Sequence, residues 1–273
     1  MKILVTGDQG FIGSNLKKAL ELNEDHKVYG LDKELFDSPN WKQELELYLD
    51  RVCFDAIFHV GACSDTLNQD VEYMMTRNYE STVIISNWAD QDGTAVIYSS
   101  SAANYGDPKG KRNLYAWSKY AAEEHVIANG QIALRYFNVY GPGEEHKGNM
   151  ASVAYQMFTK HKNGEAIKLF PGRPKRDFVY IQDVVNANLH ALWNYDELAG
   201  IRWYDVGSGK ANSFESVLEH LDIPYTYTDE SEIPTNYQMF TQANIHNMMP
   251  SWKPKYALEK GLKLYKEYLC KTI

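Results

Sequence analysis

The chain has little of what disulfide-rich, membrane-spanning and nucleic-acid-binding proteins contain. Its three cysteines, Cys53, Cys63 and Cys270, are too few and too scattered for a disulfide framework or a zinc site. No apolar run reaches the roughly 18–20 residues that a membrane span requires. A net charge of −8 argues against nucleic acid, since phosphate backbones are held by concentrated lysine and arginine. We therefore expect no metal site and neither a membrane nor a nucleic-acid partner.

The acidic balance still allows a small anionic ligand, because a few local cations and a helix N-terminus suffice to bind one. At 273 residues the chain is long enough to bury a substantial core. Its first residues run directly into a strand pattern, so we expect no signal peptide and a cytoplasmic location.

Short β-rich apolar runs alternate with helical patterns along the chain. The predicted strands are Lys2–Thr6, Lys27–Leu31, Ala56–Val60, Ala95–Ser99, Gln131–Tyr136 and Arg202–Val206. The predicted helices are Phe11–Leu22, Trp41–Arg51, Tyr73–Asp90 and Tyr115–Asn129. This alternation is typical of βαβ units and predicts an α/β fold whose parallel sheet has helices on both faces.

The pattern loosens after residue 137, where glycine, proline, lysine and aromatic residues mix. We interpret this half as a smaller C-terminal substrate-binding lobe over the carboxyl edge of the sheet, where open α/β folds bind ligands. The predicted nucleotide-binding domain covers residues 1–137, and residues 176–207 return to it. Residues 138–175 and 208–273 are assigned to the lobe.

A glycine-rich turn follows the first predicted strand and opens a helix. Gly7, Gly10 and Gly13 lie in the sequence GDQGFIG, where a Cβ atom would obstruct a sharp turn close to a pyrophosphate. Asp32 ends the second strand, at the spacing expected for a carboxylate on the adenosine ribose. A tight strand-to-helix turn needs no ligand, but the combination predicts a Rossmann-type dinucleotide-binding domain.

The residues around Asp32 leave the choice of dinucleotide open. Asp32 favours NAD, because its carboxylate accepts from the 2′-hydroxyl and repels a 2′-phosphate. Lys33 and Lys42 are near enough in sequence to offset that repulsion for NADP, although Lys33 is equally interpretable as a solvated charge. We expect NADP or NAD, tightly bound.

Tyr115 and Lys119 lie four residues apart on a predicted helix and hence on one face. A tyrosine whose pKa is about 10 is a poor base at neutral pH, and we expect the neighbouring cation to favour the phenolate. The strand before Ser101 would bring this serine beside Tyr115, where it could hydrogen-bond a reacting oxygen. A surface helix and strand-capping serines are the structural alternatives. After a glycine turn, the three side chains indicate hydride transfer at a carbinol carbon.

The glycine turn, Asp32, Ser101 and the pair Tyr115 and Lys119 follow one another in the order found in extended short-chain dehydrogenases/reductases. The chain therefore resembles the members of this family that modify nucleotide sugars. Within it, longer segments resemble the ADP-L-glycero-D-manno-heptose 6-epimerases. These segments are Ile57–Ser64 (IFHVGACS), Arg135–Pro142 (RYFNVYGP), Glu145–Ala154 (EHKGNMASVA), Lys175–Tyr180 (KRDFVY) and Tyr237–Ala243 (YQMFTQA).

The resemblance implies a nucleotide-sugar epimerase that oxidises C6 of a heptose to a ketone and returns the hydride to the opposite face. Tyr115 would be one acid/base and Lys147 the second, serving the other epimer. Ser101 would orient the reacting oxygen, and Lys119 would hold the nicotinamide ribose. Without the resemblance, Lys147 is more simply interpreted as an exposed loop lysine.

Further roles carry over by matching position. The expected cofactor contacts are Gly7, Gly10, Phe11, Ile12, Gly13, Asp32, Lys33, Val60, Gly61, Ala62, Cys63, Ser64, Arg77, Tyr115, Lys119, Val139 and Lys147. The expected contacts of the nucleotide-diphosphate sugar are Ser101, Asn138, Asn149, Gln156, Phe170, Pro171, Gly172, Arg173, Arg176 and Tyr237. Arg176 suits phosphate oxygens because a guanidinium can bind two at once, and a surface salt bridge with Asp177 is the alternative.

The chain departs from the family near the adenosine. The usual helix and third strand after Asp32 look reduced to Lys33–Asp37, and Arg77 stands where the family has an asparagine. Another nucleotide-sugar 4-epimerase or a 4-keto-sugar reductase therefore stays open as an alternative.

A non-enzymatic dinucleotide sensor is an alternative of a different class, which intact Ser101, Tyr115 and Lys119 disfavour. The resemblance also predicts a homo-oligomer that packs through the helices Tyr73–Asp90 and Tyr115–Asn129. These helices could instead be buried on their own sheet.

Overall fold

A six-stranded parallel sheet forms the centre of the computed structural model, which describes residues 1–107, 110–234 and 237–272. The strands are, in chain order, β1 (Lys2–Thr6), β2 (Lys27–Leu31), β3 (Ala56–His59), β4 (Ala95–Ser101), β5 (Ile132–Tyr136), β6 (Asn138–Tyr140), β7 (Lys168–Leu169), β8 (Lys175–Tyr180), β9 (Trp203–Val206), β10 (Ala211–Ser213) and β11 (Thr226–Tyr227). The central sheet has the order β2-β1-β3-β4-β5-β9, and every pairing in it is parallel.

Helices cover both faces of this sheet. They are α1 (Phe11–Glu21), α2 (Trp41–Val52), α3 (Val71–Met75), α4 (Ser81–Asp92), α5 (Leu114–Ala128), α6 (Val153–Lys162), α7 (Ile181–Trp193), α8 (Tyr195–Leu198), α9 (Phe214–Leu221) and α10 (Leu258–Thr272). Alternate residues of β1 show the two layers: Ile3 and Val5 pack with Leu16 of α1, whereas Leu4 packs with Leu45 of α2. The predicted Rossmann-type α/β fold is confirmed.

The strand order reverses at β1, because β2 lies on one side of it and β3 on the other. Parallel sheets of this kind bind ligands in the crevice beyond the carboxyl ends of the strands at such a switch point. In the described part of the chain no strand lies beyond β2. Lys33–Asp37 forms a single 3₁₀ turn, and the chain then continues into α2.

The predicted helix Tyr73–Asp90 is interrupted. A π-helical turn, Thr76–Glu80, separates α3 from α4 and places Asn78 on the buried side. Such turns are frequent at functional sites, because they redirect side chains within an otherwise regular helix.

The second half of the chain adds two small sheets, one of order β10-β8-β6 and one that pairs β11 with β7. Helix α7 packs against α1 and the central sheet, whereas α9 and α10 pack against each other. Within residues 1–107, 110–234 and 237–272, no helix is both long and apolar enough to cross a bilayer. The division into a nucleotide-binding domain and a lobe stays a proposal.

Candidate functional site

A cleft of about 820 Å³ opens along the carboxyl ends of the central strands. Every position predicted to contact the cofactor lines it, from the glycine turn to Lys147. Of the predicted substrate positions, Ser101, Asn138 and Arg176 line it as well. The volume lies in the range of ordinary small-molecule sites, roughly 300–1,000 Å³.

The glycine turn is packed too tightly for side chains. Gly7 has a φ of +65°, and a Cβ atom on it would lie 2.7 Å from the Cα of Gly61. A Cβ atom on Gly13 would lie 2.0 Å from the carbonyl oxygen of Gly7. No side chain of the described residues caps the N-terminus of α1, whose N-cap is Gly10. The turn therefore presents a helix N-terminus to the cleft, where anions bind favourably.

Asp32 lies where β2 ends. Its carboxylate accepts from the backbone N–H of Gln9 at 3.0 Å and from that of Lys33 at 2.7 Å. This end of the cleft also contains Arg77, whose guanidinium carbon lies 3.7 Å from the centroid of the Tyr73 ring and 5.2 Å from that of Phe36. The residues that line the cleft thus include the carboxylates of Asp32 and Asp65 and the cations Lys33 and Arg77.

Asn78 holds the segment that follows β3, and sequence reasoning missed it. Its side-chain oxygen accepts from the N–H of Cys63 at 2.7 Å, and its amide donates to the carbonyl of Cys63 at 3.0 Å. The same amide donates to Ser118 of α5 at 3.0 Å. The buried Asn78 therefore ties the cleft-lining segment Val60–Ser64 to the helix that carries Tyr115. The only signal in the sequence is an asparagine within a helical pattern.

Tyr115 and Ser101 meet across the cleft wall as predicted. The hydroxyl of Ser101 lies near that of Tyr115, and Ser101 Oγ accepts from the N–H of Ala103 at 3.1 Å. Burial raises the pKa of Tyr115, and the nearby Ser101 hydroxyl opposes this shift.

Lys119 does not reverse that shift, contrary to the sequence-based expectation. Its ammonium lies 4.2 Å from the centroid of the Tyr98 ring, and its side chain is buried. Burial lowers the pKa of Lys119 to about 7, against the attraction of Glu123. The effect of desolvation on the pKa of Tyr115 is therefore larger than the effect of the nearby Lys119 ammonium. The spacing of residues on a helix predicts which side chains are neighbours, but it does not predict their desolvation.

Lys147 lies in the 3₁₀ turn Glu145–Met150 and lines the same cleft. Its ammonium is 5.6 Å from the centroid of the Phe11 ring, at the start of α1. Burial lowers its pKa, and the carboxylate of Glu144 acts in the opposite direction. The interpretation of Lys147 as an exposed loop lysine is wrong.

Arg176 is a buried cation, with 9 % of its surface exposed. Within the described residues it forms no ion pair; it donates to the carbonyl of Lys175 at 2.9 Å and lies over the rings of Tyr237 and Phe214. Burial lowers its pKa. The alternative of a salt bridge with Asp177 is wrong, because the Asp177 carboxylate accepts instead from backbone N–H groups of a neighbouring loop, at residues 208, 209 and 243.

The remaining predicted substrate positions do not line the cleft: Asn149, Gln156, Phe170, Pro171, Gly172, Arg173 and Tyr237. The amide of Gln156 is occupied by the carbonyls of Asn149 and Ala151, at 3.1 and 2.7 Å. Phe170 and Tyr237 pack edge to face at 5.0 Å, behind Arg176.

The wall beside Arg176 is formed instead by Phe214, Gln238 and Thr241. Gln238 and Thr241 belong to the segment YQMFTQA, which resembles the heptose epimerases. The sequence therefore pointed to this segment, although it predicted a substrate contact for Tyr237 alone. Phe214 comes from α9, in a part of the sequence without a recognisable motif.

A profile of the NAD-dependent epimerase/dehydratase family matches residues 3–207. The structure is similar to ADP-L-glycero-D-manno-heptose-6-epimerase of Helicobacter pylori, with 30% identity, 98% of this chain and 96% of that chain covered, and a TM-score of 0.84. It is also similar to UDP-glucose 4-epimerase of Thermotoga maritima with UDP-glucose, at 24% identity, 100% and 99% coverage and a TM-score of 0.82.

A third similar structure is UDP-glucuronic acid 4-epimerase of Bacillus cereus in complex with UDP-glucuronic acid and NAD. Its identity is 20%, both chains are covered to 100%, and the TM-score is 0.81. At such identities the two 4-epimerases support the fold alone.

Proposed function

This chain belongs to the NAD-dependent epimerase/dehydratase family, and we propose that it inverts C6 of an ADP-linked glyceromanno-heptose by oxidation and re-reduction with bound NAD. The observation that carries this proposal is that Tyr115 and Lys147 line one cleft. An epimerase must transfer a proton to and from the reacting oxygen in two orientations of the sugar, which two acid/base side chains can serve. A reductase meets this oxygen in one orientation and needs only one such side chain. Among the similar structures above, the heptose epimerase has the highest identity.

The residues present fit NAD. The close packing of Gly7, Gly13 and Gly61 leaves backbone where a pyrophosphate can approach, and the N-terminus of α1 favours its charge. Asp32 accepts from two backbone N–H groups, and a carboxylate can accept further bonds from ribose hydroxyls. When bound, NAD supplies reversible hydride transfer at a carbinol carbon.

The proton chemistry belongs to the side chains. Ser101 would hydrogen-bond the reacting oxygen, and Tyr115 would take its proton in one orientation of the sugar and return it. Lys147 would do the same in the other orientation. Because burial lowers the pKa of Lys147, its amine is nearer the range in which a group can both accept and donate a proton at neutral pH. Lys119 would hold the nicotinamide ribose.

Arg176 supports a substrate that carries a diphosphate. A buried guanidinium without a carboxylate partner is costly, and an anionic ligand removes that cost. It lies in the part of the cleft formed by Phe214, Gln238 and Thr241. We propose that the diphosphate binds there and that the sugar extends towards Ser101.

The test compares three substrates with the purified protein and no added cofactor: ADP-D-glycero-D-manno-heptose, UDP-glucose and UDP-glucuronic acid. We expect nuclear magnetic resonance to show inversion at C6 of the heptose and no inversion at C4 of the UDP sugars. Inversion at C4 alone would replace the heptose assignment by a 4-epimerase. In a parallel assay with added NADPH and a nucleotide-linked 4-keto sugar, stoichiometric consumption of NADPH would indicate a reductase. A homo-oligomer and a cytoplasmic location stay predictions.

A further inference from the structure

The segment that carries Lys147 has little regular structure of its own. It runs from Gly141 to Ser152, between β6 and α6, and contains only the short 3₁₀ turn Glu145–Met150. Gly141, Gly143 and Gly148 all have positive φ, and Gly148 breaks the helical conformation inside the turn. A segment of this composition needs contacts from outside to hold one conformation.

The carboxylate of Glu144 ties both ends of this segment together. The side chain is fully buried. Its Oε1 accepts from the N–H of Gly141 at 3.2 Å and from Ser152 Oγ at 2.7 Å, and its Oε2 accepts from the N–H of Ser152. Gly141 and Ser152 are the two ends of the segment, so one side chain closes the loop. The carbonyl of Glu144 also accepts from the N–H of Lys147 at 3.0 Å.

The fourth donor comes from the far end of the chain. Tyr265 of α10 is fully buried, and its hydroxyl donates to Glu144 Oε1 at 2.9 Å. A carboxylate that accepts from four donors is held in one position, because turning it would leave buried donors unpaired. Through this contact α10 fixes the segment that brings Lys147 to the cleft.

We infer that Glu144 is a positioning residue for Lys147 and that Tyr265 holds Glu144 in place. The inference concerns the geometry of the Gly141–Ser152 segment; its catalytic consequence rests on the function proposed above, in which Lys147 serves one epimer. Removing the carboxylate therefore impairs the half-reaction that uses Lys147 and leaves the half-reaction that uses Tyr115.

The first experiment needs no substrate. Hydrogen exchange of the peptides that cover residues 141–152 is compared in Glu144→Gln, Tyr265→Phe and the unaltered protein. Matched controls are Glu215→Gln and Tyr204→Phe, which alter a buried carboxylate and a buried hydroxyl elsewhere. We expect this segment to exchange faster in the first two variants than in the unaltered protein. In the two control variants its exchange rate should be unchanged. Unchanged protection in both Glu144→Gln and Tyr265→Phe would overturn the inference.

The second experiment follows reduction of bound NAD at 340 nm after mixing with either C6 epimer. The unaltered protein should respond to both, which tests the proposed function. Glu144→Gln should lose on the order of 10-fold or more in rate with one epimer only, since misplacing a reacting group is costly. Equal losses with both epimers would indicate general damage and overturn the positioning role. If the unaltered protein responds to neither epimer, the proposed function fails, and the exchange experiment still decides whether Glu144 holds the segment.

Discussion

Replacing Arg176 by methionine tests whether this cation binds a ligand or stabilises the fold. Arg176 is buried and has no ion-pair partner within the described residues, and its guanidinium donates a hydrogen bond to the carbonyl of Lys175. A hydrogen bond to a charged group contributes about 1.5–3 kcal/mol. Because about 1.4 kcal/mol corresponds to a tenfold change in affinity, Arg176→Met should weaken diphosphate binding by roughly 10- to 150-fold.

The same substitution should not destabilise the ligand-free fold. It removes a buried charge that has no ion-pair partner within the described residues, which offsets the loss of its hydrogen bond to the carbonyl of Lys175, about 1.5–3 kcal/mol for a charged donor. The assay is calorimetric titration of NAD-loaded protein with ADP and with UDP, together with thermal unfolding, and Arg202→Met serves as an exposed control. Unchanged affinity with a fall of several degrees in Tm would refute this reasoning, because it would identify Arg176 as a structural cation.

Three further predictions concern the cofactor and the catalytic side chains. Gly13→Ala should abolish copurification of NAD, because a Cβ atom there would lie 2.0 Å from the carbonyl oxygen of Gly7; NAD retained at the level of the unaltered protein would contradict this. Tyr115→Phe should lower the epimerisation rate by about 10²- to 10⁴-fold and retain bound NAD, and Ser101→Ala should act in the same direction; unaltered turnover in Tyr115→Phe would contradict its role. The pKa of Lys119 is about 7 in the folded NAD-free protein and about 10.5 when unfolded. The unfolded chain binds more protons between these values, so stability should rise with pH across that window, and Lys119→Met should reduce the rise in urea unfolding at pH 7, 8 and 9.

Much of the central sheet and its ligand edge could be predicted from sequence. The bounds of β1 and β2 agree with the prediction, because short apolar strands with polar ends are locally encoded. Tyr115, Ser101 and the glycine turn meet because consecutive parallel strands bring their carboxyl ends to one edge. Topology alone is enough to assemble that part of the site.

Features that depend on side-chain packing were not predictable in the same way. The direction of the Tyr115 pKa shift is set by burial, and the positions of Gln156 and Tyr237 are set by hydrogen bonds and ring contacts within the second half of the chain. Asn78 acts through a π-helical turn that no periodicity reveals. Glu144 is one of two adjacent glutamates, and only the fold shows that it is the buried one.

The most direct test of the central claim is to run the reaction in deuterium oxide and examine the inverted carbon of the product. Hydride that leaves and returns through bound NAD does not exchange with solvent. We therefore expect C6 inversion of the ADP-linked heptose to proceed to an equilibrium mixture of the two epimers, with no added cofactor and no deuterium at C6. Deuterium at that carbon, or no inversion by protein that demonstrably contains NAD, would contradict an epimerase that works by oxidation and re-reduction.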